Sequence, residues 1–281
     1  MHTVMILMAL SSALLIRWLW QPQPTSYPQR WQKSLFYFLF PPLLLLMTAM
    51  AVLGMGIQGQ MFGMETGWIS YELSALFLLI ASVTLLWQFY QQARSRLKLQ
   101  SYPLTTLSGT TAKLLPISLP YSAQVGGWHS QLVISEGLLT ALDNDHLQAV
   151  IAHEKAHYYY RDTFWFLWLG WVYRSTAWLP NSRLLWEELL SLRELRADWK
   201  ATETVDPLLL AESLITIAQF SLTYPEVGYA ALSCTATQSR LEERIEALIN
   251  QEDVFTPPLF PLGSSLLWSL TPLATMPWHQ C

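Results

Sequence analysis

Charge is scarce in this sequence. Asp, Glu, Lys and Arg make up 13% of its 281 residues, against about 25% in ordinary soluble domains. The formal net charge is −4. Neither a basic tract nor a glycine-rich phosphate loop occurs, so no nucleic-acid partner is expected. Cysteine is nearly absent: Cys234 and Cys281 stand far apart and form no C-x-x-C. That excludes a disulfide framework and fits a reducing compartment for the central region. A bridge between the two would need both on one side of a membrane.

What is plentiful is apolar: 52% of residues are hydrophobic and 14 are tryptophan, the composition of a membrane protein. The length allows one large domain or two small ones. Crossing a bilayer takes about 20 apolar residues, and three such runs open the chain. Residues 3–20 hold only Arg17, close enough to the end to snorkel. Residues 35–57 are uncharged, with Pro41-Pro42 kinking the first turn or marking the true start. Residues 68–90 carry only Glu72, near the entry. Gln21-Pro22-Gln23-Pro24 follows the first run in place of a small-residue cleavage site, so a retained anchor is expected rather than a signal peptide. Arg30 and Lys33 separate the first two runs, Arg94, Arg96 and Lys98 follow the third, and the remaining loop has Glu65 and no basic residue. The positive-inside rule then puts the N-terminus outside and the chain after residue 91 in the cytoplasm.

Most charges and turn signals fall in residues 91–257. Gln131-Leu132-Val133-Ile134-Ser135 is β-prone, a segment along which an extended substrate could lie as an added strand, and after Glu136-Gly137 the periodicity turns helical. Asp143 is a plausible N-cap for a helix over residues 144–160. The apolar run 163–179 is short for a span and holds Arg174, which reads as a membrane-hugging or core helix. Asn181 or Ser182 can cap a charged helix over 183–202, another starts near Asp206-Pro207, and 241–250 is amphipathic. Pro257-Pro258 breaks the chain before an apolar run, 259–276, expected to be a fourth span; its alternative is a helix packed at the membrane surface. The expected fold is a mainly α membrane protein of about four transmembrane helices with a cytoplasmic-face α+β domain. Its parts are residues 1–90, 91–257 and 258–281.

His153-Glu154-Lys155-Ala156-His157 is an H-E-x-x-H inside a helix-patterned stretch. Positions four apart return to one helical face, so both imidazoles can hold one metal ion. Glu154 can reach a water at the open coordination position without ligating, and the set suits hydrolytic zinc chemistry with one Zn2+ per chain. The third ligand is sought among few candidates. His2 and His279 fall on the far side under this topology. His146 lies two turns, roughly 10 Å, before His153, and His129 could line the cleft. Glu194 and Asp198 project from one helical face, so Glu194 can ligate while Asp198 orients a ligating histidine. Glu187 and Glu188 compete on the same helix but lack an acid one turn later. The alternative is that Glu194 and Asp198 pair with Arg193, Arg196 or Lys200 on a solvated face. His129, Arg244, Tyr158 and Tyr159 are candidates for the substrate or oxyanion contact.

His153-Glu154-x-x-His157, Tyr160-Arg161-Asp162, the Trp/Leu-rich interval and Glu194-Leu195-x-x-Asp198 resemble the BlaR/MecR-type membrane metallopeptidases, and more distantly the HtpX-like ones, both gluzincins. Ile134-Ser135-Glu136-Gly137-Leu138-Leu139 is similar to the family's approach to its site. The specific motifs lie in residues 121–200. The resemblance implies His153, His157 and Glu194 as zinc ligands, Glu154 as general base and Asp198 as the second acidic position. It also implies a bacterial plasma membrane, a protein or peptide substrate, and either regulatory cleavage of a repressor or quality control of membrane proteins. A non-catalytic zinc-binding sensor or scaffold is the remaining reading. The sequence ends a few residues past Met276 without the extracellular penicillin-binding domain of the β-lactam sensors, so sensing of that kind is not expected.

Overall fold

The protein is described from a computed structural model at residues 2–22, 26–58, 60–61, 64–65, 67–107, 109–223, 238–250 and 261–278. In chain order its elements are α1 (His2–Leu19), α2 (Tyr27–Met55), β1 (Gln60–Met61), β2 (Met64–Glu65), α3 (Trp68–Gln100), β3 (Leu104–Leu107), β4 (Thr110–Leu115), β5 (Ser122–Gly126) and β6 (Ser130–Ser135). Then follow α4 (Glu136–Ala141), α5 (Asn144–Tyr159), α6 (Asp162–Ser175), α7 (Ser182–Ala201), α8 (Pro207–Thr223), α9 (Gln238–Asn250) and α10 (Pro261–Leu267). The chain divides into two units. One holds residues 1–88, 169–189 and 256–281, the other 89–168 and 190–255.

Helices α1, α2 and α3 are long and apolar enough to cross a membrane. Helix α2 begins at Tyr27, with Pro28 in its first turn, where a missing N–H costs nothing. It runs straight through Pro41 and Pro42. Pro42 has no N–H for the carbonyl four residues back, which is that of Phe38. The fully buried Arg17 of α1 supplies the donor instead: its Nη2 reaches Phe38 O at 3.1 Å and its guanidinium lies 5.4 Å from the Phe38 ring. Asn181, in the left-handed region at φ 55°, holds the Arg17 carbonyl through Nδ2 at 2.9 Å.

Helix α6 has 14 residues, about 21 Å of rise against an apolar bilayer thickness of about 30 Å. The expectation of a non-spanning helix there is met in length. Arg174 donates to Gln88 Oε1 at 2.6 Å. The C-terminal apolar run differs from expectation. Between Pro261 and Trp278 it forms α10 and two short 3₁₀ segments, Trp268–Leu270 and Leu273–Trp278. Among the described residues no single helix there is long enough to cross a bilayer; Pro272 stands in the turn between the two 3₁₀ segments, where it has no N–H to continue a helix. Leu273 and Met276 instead pack against Ala51, Val52 and Met55 of α2. Cys234, Cys281, His279 and Pro257-Pro258 lie outside the described residues.

The second unit contains a four-stranded sheet in the order β3-β4-β6-β5, with β4 and β6 parallel and the other pairs antiparallel. Leu132 and Ile134 of β6 pack with Leu138, Leu147, Val150 and Ile151 into a core that fixes α5 on the sheet. A second cluster, Ala149, Ala201, Leu210, Ala211 and Leu248, joins α5 to the ends of α7, α8 and α9. Lys113 is buried and spends its ammonium on Gln100 O and Tyr102 O at the C-terminal end of α3, where a cation suits the free carbonyls. Ser135 caps α4, accepting from Leu138 N at 3.0 Å, accepting also from Tyr121 N at 2.9 Å and donating to Leu119 O at 2.6 Å. It thereby ties the segment entering β5 to the end of β6. Gly137 is required at this crossing, since a Cβ would overlap the Ser118 carbonyl.

Candidate metal centre

Helix α5 starts where the sequence places it: the Asp143 side chain accepts from His146 N at 2.9 Å. One face of α5 then presents His153 and His157, both buried. Their Nε2 atoms lie 3.1 Å apart. Helix α7 brings the Glu194 carboxylate to them, Oε2 being 3.4 Å from His153 Nε2 and Oε1 3.7 Å from His157 Nε2. Ligand atoms held at about 2.0–2.1 Å from one zinc ion in tetrahedral geometry are roughly 3.3 Å from one another. The three separations bracket that value, and the two imidazoles and one carboxylate form a set that can hold a metal ion.

Each imidazole is oriented from behind by a carboxylate, and each carboxylate is held by an arginine. His153 Nδ1 lies 2.8 Å from Asp198 Oδ1, and Arg244 grips Asp198 bidentately, Nε to Oδ2 at 2.6 Å and Nη2 to Oδ1 at 2.7 Å. His157 Nδ1 lies 2.8 Å from Asp162 Oδ2, and Asp162 in turn receives Arg196 Nη2. A carboxylate hydrogen-bonded to Nδ1, as Asp162 is to His157, favours the tautomer that leaves Nε2 free to ligate, and Asp198 lies at the same distance from His153 without forming that hydrogen bond in this geometry. Burial opposes a charge on His153, yet Asp198 and Glu194 outweigh it and raise its pKa to about 9. His157 moves in the same direction: burial is outweighed by Glu194 and Asp162. Burial would keep Glu194 neutral, but Arg193 and the two histidines hold it well below the usual carboxylate range. Asp198 is likewise lowered, by Arg244 and His153 against burial.

Of the solvated-face pairings weighed for these two acids, only that of Glu194 with Arg193 occurs among the described residues; Asp198 is buried and pairs with Arg244. Glu194 faces the histidines and also accepts Arg193 Nη2 at 2.7 Å on Oε1. Glu187 and Glu188 are placed elsewhere, on Arg183 and Arg30 at 2.8 Å each. Half-buried His146 bridges Asp143 and Glu212. His129 sits in the exposed turn between β5 and β6. Tyr158 stacks on Arg161 at 4.5 Å and Tyr159 on Lys200 at 4.7 Å. Arg244 is committed to Asp198, with Nη1 3.6 Å from Glu194 Oε2.

Three contributors went unassigned in the sequence. Asp162 had a signal, an acid five residues past His157. Arg161 adopts φ 55° between α5 and α6, and this left-handed residue returns the chain so that Asp162 meets His157. Arg196 and Ser122 carried no signal, because only the tertiary fold joins them to Asp162 and Glu154. Ser122 Oγ donates to Glu154 Oε1 at 2.8 Å.

The strand beside the site also differs from expectation. The β-prone segment 131–135 was the expected seat for an extended peptide, but β6 is paired on both sides, by β4 and by β5. Its backbone has no free ladder edge. Among the described residues the edge strands are β3 and β5, and β5 is the one that carries Ser122 to Glu154. Three successive carbonyls from the last residue of β5 onward are pinned by side chains: Gly126 O by Gln92 Nε2 at 2.6 Å, Gly127 O by Thr163 Oγ1 at 2.8 Å, and Trp128 O by Arg161 Nη1 at 2.9 Å.

The model of Peptidase family M48 matches residues 120–179, from the start of β5 past the end of α6. The match supports a metallopeptidase and takes in His153, Glu154 and His157; Glu194, Asp198 and Arg244 lie beyond it. It does not separate the BlaR/MecR type from the HtpX type. No curated protein and no solved structure matches the chain.

Proposed function

We propose that the chain is a membrane-embedded zinc endopeptidase working at the cytoplasmic face, on a repressor-like or membrane-protein substrate. The convergence of His153 Nε2, His157 Nε2 and the Glu194 carboxylate carries this reading, with the family match behind it. The bilayer is supported by the three long apolar helices. The cytoplasmic side is supported by Arg30 and Lys33 before α2's apolar stretch and Arg94, Arg96 and Lys98 at the end of α3.

Zinc held by His153, His157 and Glu194 would polarise the scissile carbonyl and acidify a water. The chain's own residues do the rest. Asp162 keeps the His157 imidazole in the ligating tautomer, and Asp198 lies behind that of His153. Glu154 removes the attacking water's proton and returns it to the leaving amine. An extended peptide adds to the free edge of β5, gaining backbone hydrogen bonds beside Glu154.

Glu154→Gln is expected to keep the metal and to lose cleavage of labelled casein by on the order of 10²–10⁴-fold. Undiminished cleavage would remove Glu154 from its role. The same variant traps substrate: one cytosolic DNA-binding protein supports regulatory cleavage, whereas a broad set of membrane proteins supports quality control.

A further inference from the structure

Glu154 is gripped on one side only. Oε1 accepts the Ser122 hydroxyl at 2.8 Å, while the buried Oε2 has no hydrogen-bond partner among the described residues. An ionised carboxylate can only accept, so Ser122 is the donor. Leaving a buried carboxylate oxygen without a donor costs stability, and an oxygen reserved for a proton in transit accounts for that cost. The hydroxyl is itself well placed by the fold. Ser122 opens the edge strand β5 and pairs with Ile134 of β6. Its neighbour Tyr121 is tied through N–H to Ser135 Oγ at 2.9 Å and through its carbonyl to Ser135 N at 2.9 Å. The hydroxyl therefore approaches Glu154 from a strand whose start is fixed at two points.

We propose that Ser122 is a positioning residue of the reaction. Its Oγ–H immobilises Glu154 through Oε1 so that Oε2 alone takes the water proton and passes it on. The inference rests on the peptidase reading and deepens it: the strand that receives the peptide also aims the base. A serine that merely stabilised the fold would act equally whether or not residue 154 can serve as a base.

The test uses the zinc-loaded full chain in detergent, with labelled casein for turnover and a peptide hydroxamate for affinity, since a zinc-binding hydroxamate also hydrogen-bonds the base. Ser122→Ala is expected to lower kcat about 10- to 100-fold at unchanged zinc content, with KM within about threefold. Ser122→Thr, which keeps the hydroxyl, restores it. Hydroxamate affinity should fall about tenfold on Ser122→Ala when Glu154 is present and less than about twofold in the Glu154→Gln background. Equal losses in both backgrounds, or an unchanged kcat, would overturn the proposal. The hydroxamate cycle reads without turnover. Absence of bound zinc, or full activity of Glu154→Gln, would instead refute the peptidase reading.

Discussion

At the residue scale, the site is two parallel chains of contact, Arg244–Asp198–His153 and Arg196–Asp162–His157, closed by Glu194. Half of this was legible. The i, i+4 histidines and the i, i+4 pair Glu194/Asp198 show in sequence because a helix makes spacing equivalent to direction. Asp162 shows only as an acid five residues past His157, and Ser122 not at all, because a left-handed turn and a strand pairing deliver them. Asp162→Asn is expected to weaken zinc affinity about 10- to 100-fold, read by competition with a chromogenic chelator; unchanged affinity would reduce Asp162 to a structural partner of Arg196. The raised His153 pKa sets a pH dependence. In the metal-free protein, the stabilisation from charged His153 is complete below about 6.5, its unfolded value, and is lost as pH rises through about 9. The lowered carboxylates Glu194 and Asp198 act oppositely: their contribution is present above their unfolded values and disappears as pH falls. Both histidines are raised in the metal-free protein, so zinc binding is expected to release protons from the pair. Calorimetry in buffers of different ionisation enthalpy measures this, and a buffer-independent enthalpy would contradict the protonation state.

At the element scale, the helices were the legible part and the sheet was not. Asp143 marks the start of α5 and Asp206-Pro207 that of α8, both local signals. Strands such as Leu104–Leu107 and Thr110–Leu115 carry threonines without clean alternation; the two form a local hairpin, but the parallel pairing of β4 with β6 is non-local. Even the recognised segment, β6, was read as open to a peptide when β5 covers it. Pro41-Pro42 was expected to kink the first turn of the span at 35–57 or to mark its start, yet α2 begins at Tyr27 and holds both prolines in its interior. Its double proline is tolerated through Arg17. Arg17→Leu is expected to cost about 1.5–3 kcal/mol by removing a charged donor to Phe38 O. Pro42→Ala should recover part of that loss, because residue 42 then donates to Phe38 O itself. Thermal unfolding of the two variants and their combination checks this. The same loss with and without Pro42→Ala would show that the proline does not create the need.

At the scale of the whole molecule, the three N-terminal apolar helices followed from composition, since length and hydropathy suffice to read a candidate span. The C-terminal run did not, because prolines divide it into pieces that hydropathy averages over. The unit that carries the metal centre is assembled from two separate stretches, 89–168 and 190–255, so no contiguous segment read alone contains it. The family match ends at residue 179, and the third candidate ligand, Glu194, comes from the later stretch. Glu194 is consequently the residue on which the account depends. The most direct test is the metal content of the purified full chain, dialysed against limiting zinc, with and without Glu194→Ala. One zinc per chain is expected in the wild type. The variant should lose affinity by more than the about 10- to 100-fold that removal of an outer partner costs, and so retain far less. Equal zinc content in the two proteins would contradict the site.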